Sequence, residues 1–290
     1  MATFEKKLLW EQHFRGDSGP VPSIRYRQSI TEHGDEFTGY EWQTDHGDGS
    51  DSGAGAGWGN NEREFYTDDS INQDGSEQGS LVISARRVTK DNGPDGWQDH
   101  PEWEYLSGKL TTAGLLGFHY GYLEARIKVP TDAGSWSAFW LLGETLLSGT
   151  AWPECGEIDI LEAVGQEPNS LLGTVHGPGY CGDDGPTKKI HHGEALSKDF
   201  HTYGVLWLPD RIEWYFDGDR YHTLTAEDIG SHKWVFNQPF YMIVNLAMGG
   251  NLGGALDPAV QSCSLAVDYI RHYSVKMEDS NDFVGELIRH

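Results

Sequence analysis

Cysteine is scarce: Cys155, Cys181 and Cys263 are the only three in 290 residues. Three thiols make neither a disulfide framework nor a zinc-ligand spacing. Basic side chains are also few, 21 against 45 acidic ones, for a formal charge of −24. A chain this acidic repels phosphate backbones and anionic lipid surfaces, so neither nucleic acid nor a membrane is an expected partner. Sulfated or uronic polysaccharides are disfavoured on the same ground, while a neutral substrate fits. No run of 18 apolar residues occurs, so no transmembrane helix is expected. The opening MATFEKKLLWEQHF lacks the apolar segment and small-residue cleavage site of a secretory leader. That leaves a cytoplasmic protein, or a mature domain whose leader is absent from this chain. Helix signals are nearly missing, TAEDIG (225–230) being worth one turn at most.

What the chain does have is glycine (37) and aromatic residues (11 Trp, 13 Tyr, 11 Phe). Glycine supplies turns and aromatics supply strand faces. Short strand-like segments recur: SLVISARR, YGYLEARIKVP, SWSAFWLLG, GEIDILEA, GTVHG, FHTYGVLWL, RIEWYFDG, PFYMIVNLAM and LAVDYIRHYSV. The Asp217-Gly218 pair marks a hairpin turn. This pattern predicts an all-β antiparallel sandwich. With no linker and no internal repeat, residues 1–290 read as one domain, and 276–290 as a surface appendage. The glycine-rich stretch 44–61 is no phosphate loop, since neither Lys-Ser/Thr nor a helix follows it. It is either a flexible surface loop or, with Trp58 and Asn61 at its end, a wall of a binding cleft.

The chemistry concentrates in WPECGEIDILEAVG, residues 152–165. Side chains of a strand alternate faces with a period of two. Glu157 and Asp159 therefore share a face, and Glu162, five positions from Glu157, falls on the other. A buried unpaired charge there would be costly. A β-bulge absorbing one residue between Asp159 and Glu162 returns the third acid to the same side. The two glutamates would then leave a carboxylate gap of roughly 5–7 Å, which includes the spacing a retaining glycosidase needs. Asp159 between them would share a proton with Glu157, and the like charges would hold Glu162 protonated as a general acid.

GEIDILE behind an aromatic strand resembles the bulged-motif branch of glycoside hydrolase family 16. GWGNNEREFYT, YGYLEARIKVP, GSWSAFWLLG, GTVHGPGY, FHTYGVLWLPDRIEWYFDG and VNLAMGGNLGG, in that order, look like bacterial endo-β-1,3-glucanases, or laminarinases. The resemblance covers about residues 57–275. It implies a jelly roll with a substrate cleft across its concave face, with Glu157 as nucleophile, Glu162 as acid/base and Asp159 assisting. It implies a monomer acting on a neutral β-glucan, secreted or extracellular, with no cofactor required for catalysis. A catalytically weak glucan-binding lectin on the same fold and a mixed-linkage β-1,3-1,4-glucanase remain the alternatives.

Trp136 and Trp140 share a strand face, where indole can stack on the C–H faces of sugars. The resemblance adds Trp152 to these platforms and Asn61 as a hydrogen-bonding neighbour. If GTVHG forms a hairpin with the acid strand and Glu162 faces about position 172, His176 falls opposite about 158, beside the acids. Cys155 then falls opposite about 179, which makes a Cys155–Cys181 disulfide geometrically possible. The resemblance also implies a structural Ca²⁺ on the convex side, with Asp268 of VDYIR among its ligands. Two departures bear on this: WEQHFRG (10–16) stands where many relatives carry Asp-Glu-Phe, and Lys109 stands where many carry Arg.

Overall fold

A computed structural model describes residues 4–14, 41–75, 79–278 and 280–290, with backbone strands also at 19–20, 27–30 and 36–39. Arg15 and Gly16 of the WEQHFRG segment lie outside the described residues. Two large sheets form the expected antiparallel sandwich of jelly-roll type. The first runs Asp219–Thr225, Arg211–Phe216, His201–Trp207, Gly121–Lys128, Ser262–Met277, Leu81–Arg87, Ile71–Gln73. The second runs Thr187–His191, Ser170–His176, Glu157–Val164, Ser135–Gly143, Phe240–Met248, Lys109–Thr111, Gln43–Thr44.

The core lies between them because each strand turns one side chain in two inward. Leu123, Ala125 and Ile127 from the first sheet meet one buried cluster with Phe139, Leu141, Ile158 and Val244 from the second. Burying such side chains is worth about 1.5–3 kcal/mol each. The alternate residues of the second sheet, Trp136, Trp140, Glu157 and Glu162 among them, are left partly exposed on its outer face.

The segment 276–290, expected as a surface appendage, is instead partly woven into the sandwich. Glu286–Arg289 pairs antiparallel with Leu116–His119 at the margin of the second sheet. Arg289 also reaches the buried Glu41 at 3.2 Å. The polar composition that suggested a tail is that of an edge strand, which keeps one side wet.

Candidate active site

The acid strand, Glu157–Val164, pairs with Ser135–Gly143 on one side and Ser170–His176 on the other. Asp159 pairs with Thr174 and Glu162 with Leu172, so three steps on the acid strand oppose two on its neighbour. On the other side Phe139 pairs with Leu161 and Trp140 with Asp159, passing over Ile160. This is the bulge the sequence requires. Ile160 and Leu161 both go into the core, wholly buried, and Glu162 emerges on the face of Glu157 and Asp159.

The bulge is supported from the opposite sheet. The Trp214 indole N–H crosses the core and donates to the Asp159 carbonyl at 2.8 Å, so the irregular backbone keeps a partner. Gly173 makes room for it: a Cβ there would come within 2.5 Å of Trp214 Cδ1. Gly156, at φ 79°, takes a left-handed turn into the acid strand that other residues avoid.

Each acid has its own partners. Glu157 Oε2 accepts the Trp152 indole N–H at 2.8 Å. Glu162 Oε1 accepts the Trp136 N–H at 3.2 Å, and its Oε2 faces the Thr174 hydroxyl at 3.5 Å. His176 pairs with Glu157 in register, one position from the expected 158, because the bulge consumes a residue. Its Nε2 stands 3.2 Å from Asp159 Oδ2 and 3.8 Å from Glu157 Oε1. Asp159 is the most deeply placed, 3 % exposed.

Burial pushes all three carboxyls above their usual range. For Glu157 the negative charge of Asp159 adds to this, while His176 and the Trp152 N–H oppose it. For Asp159 the charge of Glu162 adds to burial. For Glu162 burial acts against His176, Trp136 and Thr174, all of which favour the charged form. Three carboxyls so close in a site screened from water do not all ionise near neutrality.

The tryptophans divide their tasks. Trp136 and Trp152 touch the two glutamates, whereas the Trp140 N–H points away from the acids to Asn245 Oδ1 at 2.8 Å. Trp152 is 44 % exposed and lies 5.9 Å, ring to ring, from His176. Asn61 sits at the rim, its amide spent on Asn251 Oδ1 at 2.8 Å. Lys109 packs 3.9 Å over the Trp58 ring and pairs with Asp45 at 3.1 Å, so the glycine-rich loop reaches this face. Asn245 and Thr174 went unnoticed in the sequence, since an isolated Asn or Thr in an apolar strand carries no signal of its own.

Cys155 and Cys181 are both free thiols. The hairpin register stops at His176, because Gly177 and Tyr180 close a tight turn on each other. The chain then leaves before Cys181 can face Cys155, which is buried beside Leu142, Tyr241 and Ile243. The carboxylate of Asp268 already has a cationic partner. Its Oδ2 accepts from Arg126 at 2.7 Å, and a divalent cation on that group would face the guanidinium. Among the described residues the only cluster of three His, Cys, Asp or Glu donors close enough to share a metal is Glu157, Asp159 and His176. No helix among the described residues is long and apolar enough to cross a membrane.

Comparison with known proteins agrees with this geometry. A β-glucanase of Rhodothermus marinus is 36 % identical over 229 residues, 76 % of this chain and 76 % of that protein. Glucan endo-1,3-beta-glucosidase A1 of Niallia circulans is 32 % identical over 277 residues, 92 % of this chain but 37 % of that longer protein. The X-ray structure of an endo-beta-1,3-glucanase from Pyrococcus furiosus superposes with a TM-score of 0.77 at 36 % identity, covering 94 % of this chain and 95 % of that one. The family model for glycosyl hydrolases family 16 matches residues 58–271. With the bulged acid strand in place within that span, the chain belongs to glycosyl hydrolases family 16.

Proposed function

We propose that this chain is a retaining endo-β-1,3-glucanase that cleaves neutral β-glucans such as laminarin. The observation that carries the reading is the bulge at Ile160, which puts Glu162 on the face of Glu157, with Asp159 between them and His176 of the neighbouring strand beside Glu157 and Asp159.

In the first step Glu157 attacks the anomeric carbon and Glu162 gives its proton to the departing glycosidic oxygen. In the second, Glu162 takes a proton from water, and that water releases the sugar from Glu157. The nucleophile must be ionised and the acid protonated. Burial raises the proton affinity of both glutamates, opposed at Glu157 by His176 and the Trp152 N–H and at Glu162 by His176, Trp136 and Thr174, so the division of roles follows from the family resemblance. Asp159, deepest of the three, keeps a second proton shared with Glu157. Trp136, Trp140 and Trp152 supply faces for glucosyl rings.

Product analysis on laminarin and on mixed-linkage glucan tests the reading, with NMR of the first-formed anomer. Oligosaccharides released from laminarin with the β-anomer formed first are expected. Binding of laminarin without new reducing ends would make the chain a lectin, and an α-anomer formed first would overturn the double displacement.

A further inference from the structure

A second acidic pair lies beneath the site. Glu62 and Glu64 are buried, 8 % and 0 % exposed, and no ion pair reaches either among the described residues. The Met248 backbone N–H donates to Glu64 Oε2 at 2.7 Å, and Asn60 Nδ2 donates to Glu62 Oε1 at 3.1 Å. From Glu62 a line of polar groups runs to the outer face. Tyr66 Oη lies 3.4 Å from Glu62 Oε2, Asn245 Nδ2 lies 3.1 Å from Tyr66 Oη, and Trp140 Nε1 lies 2.8 Å from Asn245 Oδ1.

The chemistry of these groups fixes the direction of the line. An indole nitrogen only donates, so Asn245 must turn its oxygen to Trp140 and its NH₂ to Tyr66. The Tyr66 oxygen thus accepts, and its own proton goes onward to the acid pair, with Glu62 Oε2 at 3.4 Å and Glu64 also a hydrogen-bond partner. Two adjacent buried carboxyls without a counter-cation hold one proton between them. Glu64 is the one to carry it, since burial and the charge of Glu62 both raise its affinity for a proton.

We propose that Glu62 and Glu64 are positioning residues. As a singly protonated pair they anchor a one-way hydrogen-bond chain through Tyr66 and Asn245 that sets the plane of the Trp140 indole. The consequence for turnover rests on the reading of Trp140 as a glucosyl platform; the chain itself does not.

Two readouts on the full chain separate these. The first is the indole N–H resonance of Trp140 in ¹⁵N-labelled protein, assigned with Trp140→Phe. The second is KM against kcat on laminarin. Tyr66→Phe removes the link, and Glu62→Gln turns a donor toward the Tyr66 donor. Each is expected to move the resonance and raise KM by about 3–10-fold, the worth of one hydrogen bond, with kcat within about twofold. Glu64→Leu should do the same, whereas Glu64→Gln, which keeps a donor toward Glu62 and an acceptor for Met248, should restore both readouts. The proposal is overturned if Glu64→Gln behaves like Glu64→Leu, or if Tyr66→Phe leaves the Trp140 resonance in place. Should Trp140→Phe leave KM unchanged, the platform reading fails and the resonance alone decides the chain.

Discussion

His176 and Asp159 come from adjacent strands, yet their facing atoms are 3.2 Å apart, nearer than His176 stands to Glu157 at 3.8 Å. The imidazole therefore addresses chiefly the carboxyl that lies between the two glutamates. Together with the Trp152 N–H it offers polar support for negative charge at one end of the acid row. At the other end Trp136 donates to Glu162 and Thr174 faces it, with His176 also favouring its charge.

Replacing the acids separates chemistry from folding. Glu157→Gln and Glu162→Gln should each lower laminarin turnover by at least about 10³-fold, since both groups act in the transition state. Neither should lower the melting temperature, because each removes one of three crowded buried acids. Reducing-end assays and thermal melts check this; near-normal turnover by Glu157→Gln would refute its role as nucleophile.

The pH dependence of stability follows from the raised carboxyls. A carboxyl whose folded pKa lies above its unfolded value of about 4 binds its proton more tightly in the folded chain. Its contribution is fully present below that unfolded value and is lost as pH rises through the raised folded one. Stability measured by urea melts should thus fall from about pH 4 upward, and less steeply in Glu157→Gln and Glu162→Gln. The alkaline limb of kcat/KM should report loss of the Glu162 proton. A stability curve of identical slope in wild type and both variants would contradict this.

Deleting Ile160 removes the extra residue and leaves plain alternation, Glu157-Ile158-Asp159-Leu161-Glu162, in which the three acids still share one face. The expected result is that hydrolysis is retained, because Glu162 keeps its side, with a fall in stability on the order of 2–5 kcal/mol from the lost burial of Ile160. Ile160→Val, which keeps the bulge, should cost about 1 kcal/mol and retain turnover. Complete loss of hydrolysis in a folded deletion variant would mean that the bulge sets more than the side on which Glu162 emerges.

The thiols are expected to differ in reactivity. Burial pushes the Cys155 thiol up to about 11 and that of Cys263 up to about 12, while Cys181 is half-exposed. A thiol reagent should label one cysteine, Cys181, in the native chain and all three after unfolding. Reductant should leave the melting temperature unchanged, and a drop on reduction would point to a disulfide.

Calcium should not stabilise the protein through Asp268. Asp268→Asn breaks the ion pair with Arg126, a partly exposed contact worth about 0–1 kcal/mol. Melts in EDTA and in millimolar Ca²⁺ should coincide, and a shift of several degrees that Asp268→Asn abolishes would show a cation held there.

The fold and the acid row were legible because both follow from parity. Alternation along SWSAFWLLG and GEIDILEA separated core from face, and the one acid out of step located the bulge. The turn at Gly177–Tyr180 was not legible, since a hairpin register counted from Glu162 contains nothing that says where pairing ends. Nor was the pairing of Glu286–Arg289, whose short polar sequence depends on an edge offered by Leu116–His119. The Trp140–Asn245 contact escaped for a similar reason. It joins residues 105 apart in the chain, and neither shows its partner locally.

The indole contacts of the site have a use beyond binding. Trp136 and Trp152 each donate directly to one of the two glutamates, and indole emission responds to the charge of a group bonded at its nitrogen. The two carboxyls thus carry built-in optical labels, one apiece. A pH titration of intrinsic fluorescence, with Trp136→Phe and Trp152→Phe to assign the signal, can watch each acid gain or lose its proton before any substrate is added.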